Sequence, residues 1–133
     1  SLPQMFMISF LQKQKKLREE TKMKLEAIVE HSRDEKYIVA QVTNGEKQTN
    51  VLVSLPFNYH SSIAKVYRQR LPPNSQMEVL GGGILDINRQ NKTIETYGTS
   101  GSFGAPPIEL VREILTESFP DYTIDARVTN YIR

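Results

Sequence analysis

The chain has 133 residues, an apolar content of 38%, a charged content of 24% and a formal net charge of +2. That length suits one domain around one core, and so small a charge implies no strong affinity for polyanions. With no cysteine, disulfides, thiolate metal sites and a cysteine-nucleophile phosphatase are excluded.

The chain begins with Ser rather than Met, and residues 1–4 read as an added or processed end. Residues 5–11 are apolar but too soon followed by charge for a signal peptide. No apolar run approaches the ~20 residues that span a bilayer, so no membrane partner is expected and the cytoplasm is the default compartment. Residues 4–24 read as a helix, supported by the i,i+4 pairs Lys15/Glu19, Lys16/Glu20 and Glu20/Lys24. It is expected as an extension of the domain, packed on it or frayed from it, rather than as a docking helix, a membrane-surface helix or a basic RNA-contacting arm. Residues 25–35 fit a strand or a loop equally, and His31, among Glu30, Ser32, Arg33 and Asp34, reads as a solvated surface histidine.

Alternation predicts a strand over Lys36 to Val42, a turn at Asn44-Gly45 and a return strand over Thr49 to Leu55 closed by Pro56. His60 to Leu71 is a helix with Ile63, Val66, Tyr67 and Leu71 on one face, and Ser61 or Ser62 is expected to cap it. Gln76 to Leu80 is a strand that resumes at Ile84 to Ile87. Between them Gly81, Gly82 and Gly83 mark a bulge or a close approach of backbone or ligand. A polar turn over 88–92 leads to a paired strand at Thr93 to Tyr97. A second helix spans Pro107 to Phe119 and a last strand Thr123 to Val128. The order argues for a single α+β domain with a mixed sheet, the extension covering 1–24 and the domain 25–133.

Two stretches carry chemistry. His60 sits where a strand-like segment gives way to a helix, after Phe57-Asn58-Tyr59. A helix N-terminus presents unpaired N–H groups and a partial positive charge, so it attracts anions, and histidine is suited to proton transfer near neutral pH. The plainer alternative is a half-buried histidine packed above the apolar face. The second stretch is Gly98-Thr99-Ser100-Gly101-Ser102-Phe103-Gly104, whose N–H groups and hydroxyls can form an anion nest or simply connect strand to helix. Two distant histidines and no HExxH motif leave no ligand set for a metal, and no cofactor is expected. No GxSxG elbow and no kinase signature occurs.

In order along residues 25–128, Lys36-Tyr37, Tyr59-His60, Glu78-Val79-Leu80-Gly81-Gly82-Gly83, Lys92-Thr93-Ile94, the stretch from Tyr97 to Gly104, and Phe119-Pro120-Asp121-Tyr122 resemble the motifs of the Janus/ocnus family. The resemblance implies a mixed sheet with helices on both faces. It also implies a metal-independent hydrolase, a protein phosphatase acting on phosphohistidine, with His60 as the essential histidine. Lys36 would line the site, Ser61 would offer its N–H to phosphate, and Ser100 and Ser102 would hold phosphate oxygens, Ser102 through its backbone. Tyr59, Gly81, Gly82, Gly83, Gly101 and Gly104 would support them. Two positions depart from the family pattern: Ile84 and Leu52 stand where an arginine is expected, and both exchanges are expected to remove positive charge near a bound dianion. Arg68, Arg70, Arg89 or Arg127 are the cations available to replace it.

The implied partner is a phosphohistidine-containing protein, handled by a monomer. His60 would act as general base or as nucleophile. The rival expectation is a phosphate-dependent adaptor of the same fold that binds without cleaving. Nucleic acid is not an expected partner, because Glu19 and Glu20 interrupt the basic run Lys13, Lys15, Lys16, Arg18.

Overall fold

The computed structural model describes Gln12 and residues 23–129. Its elements are β1 (Lys24–Val29), β2 (Asp34–Asn44), β3 (Lys47–Ser54), α1 (His60–Arg70), β4 (Gln76–Asn88), β5 (Thr93–Tyr97), α2 (Ile108–Ser118) and β6 (Thr123–Ala126). Apart from Gln12 and its last two residues, the helix expected over 4–24 lies outside the described residues. Its expected end is corrected: Lys24 already opens β1. The ambiguous residues 25–35 resolve largely into that strand, because Leu25, Ala27 and Val29 alternate toward one core while Ile28 turns toward the other.

The six strands form one mixed sheet in the order β1-β3-β2-β4-β5-β6. The β2–β3 and β4–β5 hairpins are antiparallel, as is the central β2–β4 pair. The outer pairs β1–β3 and β5–β6 are parallel, so each edge strand is reached by a crossover.

Strand parity sorts the core into two layers. Tyr37 and Val39 of β2, Leu52 of β3 and Leu85 and Ile87 of β4 pack with Val111, Ile114 and Leu115 of α2. Ile38, Ala40 and Val42 of β2 and Val51 and Val53 of β3 pack with Ile63, Ala64 and Tyr67 of α1. The two helices therefore cover opposite faces, and the α+β single domain with flanked mixed sheet expected from the sequence is what forms. Among the described residues no helix is long and apolar enough to cross a membrane.

The glycine triplet does not end a strand. β4 runs unbroken through it, with a bulge: Val79 faces Ala40 and Gly81 faces Val39, which leaves Leu80 as the extra residue. Bulk is excluded there because backbone crowds in. A Cβ on Gly81 would lie 2.2 Å from the Ala105 carbonyl oxygen, and one on Gly82 would lie 2.5 Å from that of Tyr37.

Candidate functional site

His60 opens α1. His60, Ile63, Ala64 and Tyr67 recur at helical spacing and are the buried residues of that helix. The imidazole is thus the first member of an apolar stripe, and the residue is only 3% exposed. Its Nε2 lies 2.8 Å from the Gly83 carbonyl oxygen. A carbonyl can only accept, so Nε2 donates and the ring's other nitrogen, Nδ1, is left unprotonated. Burial pushes the His60 pKa below the ordinary histidine value; the Gly83 contact pulls it back and the Lys36 cation pushes it down again. The ring is neutral at pH 7.

The loop from Gly98 to Gly104 meets this ring across Gly82. The point where a Gly82 Cβ would sit is 2.9 Å from His60 Cδ2 and 3.3 Å from Ser100 Cβ, which sets imidazole and serine side by side. Gly82 N–H donates to the Gly104 carbonyl at 3.2 Å, and Ser100 and Gly104 bond each other through both backbone pairs. Ser100 is buried, its Oγ accepting from Phe103 N–H at 3.0 Å. Its own N–H is committed to Gly104. Gly101 and Ser102 are exposed, and their N–H groups have no acceptor among the described residues.

Lys36 sits in β2 opposite Ile84 of β4. Residues 36 and 38 share a face, and Ile38 packs toward α1, so Lys36 belongs on the His60 side. It has no ion-pair partner among the described residues.

The capping expectation is corrected. The residue before α1 is Tyr59, extended and without a side-chain cap bond, and neither Ser61 nor Ser62 caps the helix. Ser62 and Ile63 N–H reach back to the Tyr59 carbonyl, while those of His60 and Ser61 have no acceptor among the described residues. No acidic side chain stands in the first turn, so the positive end of the helix is unneutralised.

The structure thus brings together His60, Ser61, Lys36, Ser100 and the glycines Gly82, Gly83 and Gly104, whereas Gly81 packs under Ala105 and Gly101 and Ser102 lie on the exposed turn of the Ser100 loop. Tyr59 stands beside them at 69% exposure. The two departures part company. Ile84 is buried directly across from Lys36, on the His60 side. Leu52 packs in the α2 core on the other face of the sheet. The expectation that both exchanges remove charge near the site is therefore corrected for Leu52, because strand parity aims it away. Of the arginines offered as replacements, Arg70 pairs with Glu30, Arg89 bonds the Val29 and His31 carbonyls, and Arg127 lies against Asp125. Only Arg68 lies beside the site, in a groove with Ser61 and Phe103.

A model of the Janus/Ocnus family matches residues 23–123. The chain belongs to that family. Among curated proteins it is similar to the sex-regulated protein janus-A of Drosophila yakuba and of Drosophila melanogaster, 35% identical to each over 54 residues. That match covers 41% of this chain and 40% of each relative. The matched family region contains every site residue named above.

The other histidine is not the solvated residue expected. Ser54 is fully buried, donating from Oγ to the Lys36 carbonyl at 2.8 Å. With its hydrogen so used, Ser54 accepts from His31 Nε2 at 2.7 Å, and Arg33 N–H donates to His31 Nδ1. Burial holds His31 below the usual histidine pKa. This link ties the β1–β2 turn to the strand carrying Lys36. A serine at the end of an apolar strand gave no sequence signal of it. Among the described residues no three of His, Cys, Asp and Glu converge on a point that could take a metal.

Proposed function

We propose that this Janus/Ocnus protein hydrolyses phosphohistidine in proteins without a metal. The observation that carries the reading is the juxtaposition of a neutral, tautomer-fixed His60 with the Ser100 loop over Gly82, at an uncapped helix start. The phosphoryl oxygens would rest on the His60 and Ser61 N–H groups from one side and on those of Gly101 and Ser102 from the other. Lys36 would add its charge.

His60 Nδ1 then takes a proton from water as its oxygen bonds to phosphorus. The P–N bond breaks with its electron pair passing to the leaving nitrogen. The other ring nitrogen of that imidazole carries a proton, so it departs as neutral imidazole, and His60 gives up the proton it took from water. General-base help of this kind is worth about 10²–10⁴-fold; the rest is positioning and charge stabilisation. In the alternative route, His60 Nδ1 attacks phosphorus itself, and water later releases phosphate from it.

One observation favours a second reading, a non-catalytic phosphate-dependent binder: at position 84 a buried isoleucine stands beside Lys36, where the family resemblance led us to expect arginine. Phosphate release from a phosphohistidine peptide decides. The parent is expected to turn it over and His60→Ala, assayed under conditions where it is still folded, to lose at least about 100-fold in kcat, beside a stability loss of about 1–3 kcal/mol from the unpaired Gly83 carbonyl. Binding without release points to the adaptor, and equal turnover by parent and variant refutes the role of His60.

A further inference from the structure

Between Glu46 and Glu78 the chain carries no acidic side chain, yet it carries Lys47, Lys65, Arg68 and Arg70. Two of these cations, Lys65 and Arg68, line a groove of about 500 Å³ together with Ser61, Ala64, Gln69 and Phe103. The groove runs from the proposed phosphate cradle, at Ser61 and the Gly98–Gly104 loop, along the exposed flank of α1. Both cations are exposed and have no ion-pair partner among the described residues. Among the described residues nothing acidic lines the groove. A cationic trough that opens onto the site, with no acidic group beside it among the described residues, is complementary to an acidic polypeptide.

We infer that the groove selects substrates by carboxylates flanking the phosphorylated residue; the inference rests on the phosphatase reading and names its substrate class. The spacing fixes where the carboxylates fall. Lys65 and Arg68 follow Ser61 by four and seven helical residues, about 6 and 10 Å along the axis. An extended peptide advances about 3.3 Å per residue. The preferred substrate therefore carries Asp or Glu about two and three positions from the phosphohistidine, with an apolar side chain laid on Phe103 and Ala64.

The test compares kcat/KM for phosphohistidine peptides with two glutamates on the N-terminal side, two on the C-terminal side, or glutamines at both. The unphosphorylated peptides are titrated in parallel by fluorescence anisotropy, for the parent, K65E/R68E and K47E. Lys47 is an exposed cation in the β2–β3 hairpin. One acidic peptide is expected to exceed the neutral one by about three- to tenfold, an advantage shrinking with added salt. That ratio falls to one or below in K65E/R68E and persists in K47E. Equal kcat/KM for all three peptides, or a ratio that K65E/R68E leaves intact, overturns the inference while the phosphatase reading stands. If no peptide is turned over, the phosphatase reading falls, and the anisotropy titration decides alone. A K65E/R68E-sensitive preference for an acidic peptide then keeps the groove as an acidic-segment site, and equal binding removes it.

Discussion

Gly82→Ala tests the link between fold and site most directly. The added methyl would sit 2.5 Å from the Tyr37 carbonyl oxygen, 2.9 Å from His60 Cδ2 and 3.3 Å from Ser100 Cβ. The ring and the serine can move by tenths of an ångström. The Tyr37 carbonyl cannot, because it belongs to β2, held in the sheet between β3 and β4. Overpacking of this kind costs about 1–3 kcal/mol, and a rigid obstacle puts the cost at the upper end. Alanine in a strand interior recovers about 0.5–1 kcal/mol of the entropy that glycine loses. The net expectation is a loss of about 2 kcal/mol, read as a lower urea midpoint at unchanged m-value. Gly104→Ala is the comparison: its Cβ meets nothing within 4 Å, and only its φ of +85° opposes a side chain, about 1–2 kcal/mol of strain. Gly82→Ala should in addition shift the His60 ring resonances, which Gly104→Ala should leave close to the parent's. A Gly82→Ala variant within about 0.5 kcal/mol of the parent, with an unmoved His60 ring, refutes the close packing of loop, ring and strand on which the site depends.

The other expectations concern buried groups. Ser54→Ala leaves both the His31 Nε2 donor and the Lys36 carbonyl without their partner; a loss of about 1–3 kcal/mol is expected by denaturation, and a neutral result would show that the link carries no stability. Leu52→Arg places a charge in the apolar α2 core and should abolish cooperative unfolding, whereas Ile84→Arg lies beside Lys36 and the site. Ile84 is equally buried, so Ile84→Arg is expected to lower the urea midpoint, less than Leu52→Arg because its guanidinium can reach out toward the His60 side. The folded fraction is expected to bind inorganic phosphate more tightly than the parent by isothermal titration; an unchanged phosphate affinity would show that position 84 does not serve the site. His31 and His60 both have pKa values held below the ordinary histidine value, with burial the largest cause. Below about pH 6.5 the unfolded chain therefore binds more protons than the folded one, so stability is full above that pH and falls as the pH drops toward the folded values. A urea midpoint that rises between pH 7 and pH 5.5 would contradict this sign.

Much of the fold is legible in local pattern. Alternation located β2, β3 and β5, helical spacing located α1 and α2, and Asn44-Gly45 located the first hairpin, because each is set by residues within a few positions of one another. The motifs from Lys36 to Tyr122 likewise carried the family. What the chain could not declare is which face of the sheet each residue meets. Residues 24–29 became a strand only because β3 offered a parallel edge and two cores took alternate side chains. Leu52 and Ile84 looked equivalent as uncharged replacements, yet parity sent one to the α2 core and left the other beside Lys36. His31 looked solvated until a buried serine 23 residues away supplied its partner. The meeting of His60 and Ser100 over Gly82 is of the same kind: it depends on a register between strands and on the room that one missing Cβ leaves, and both exist only once the sheet has assembled.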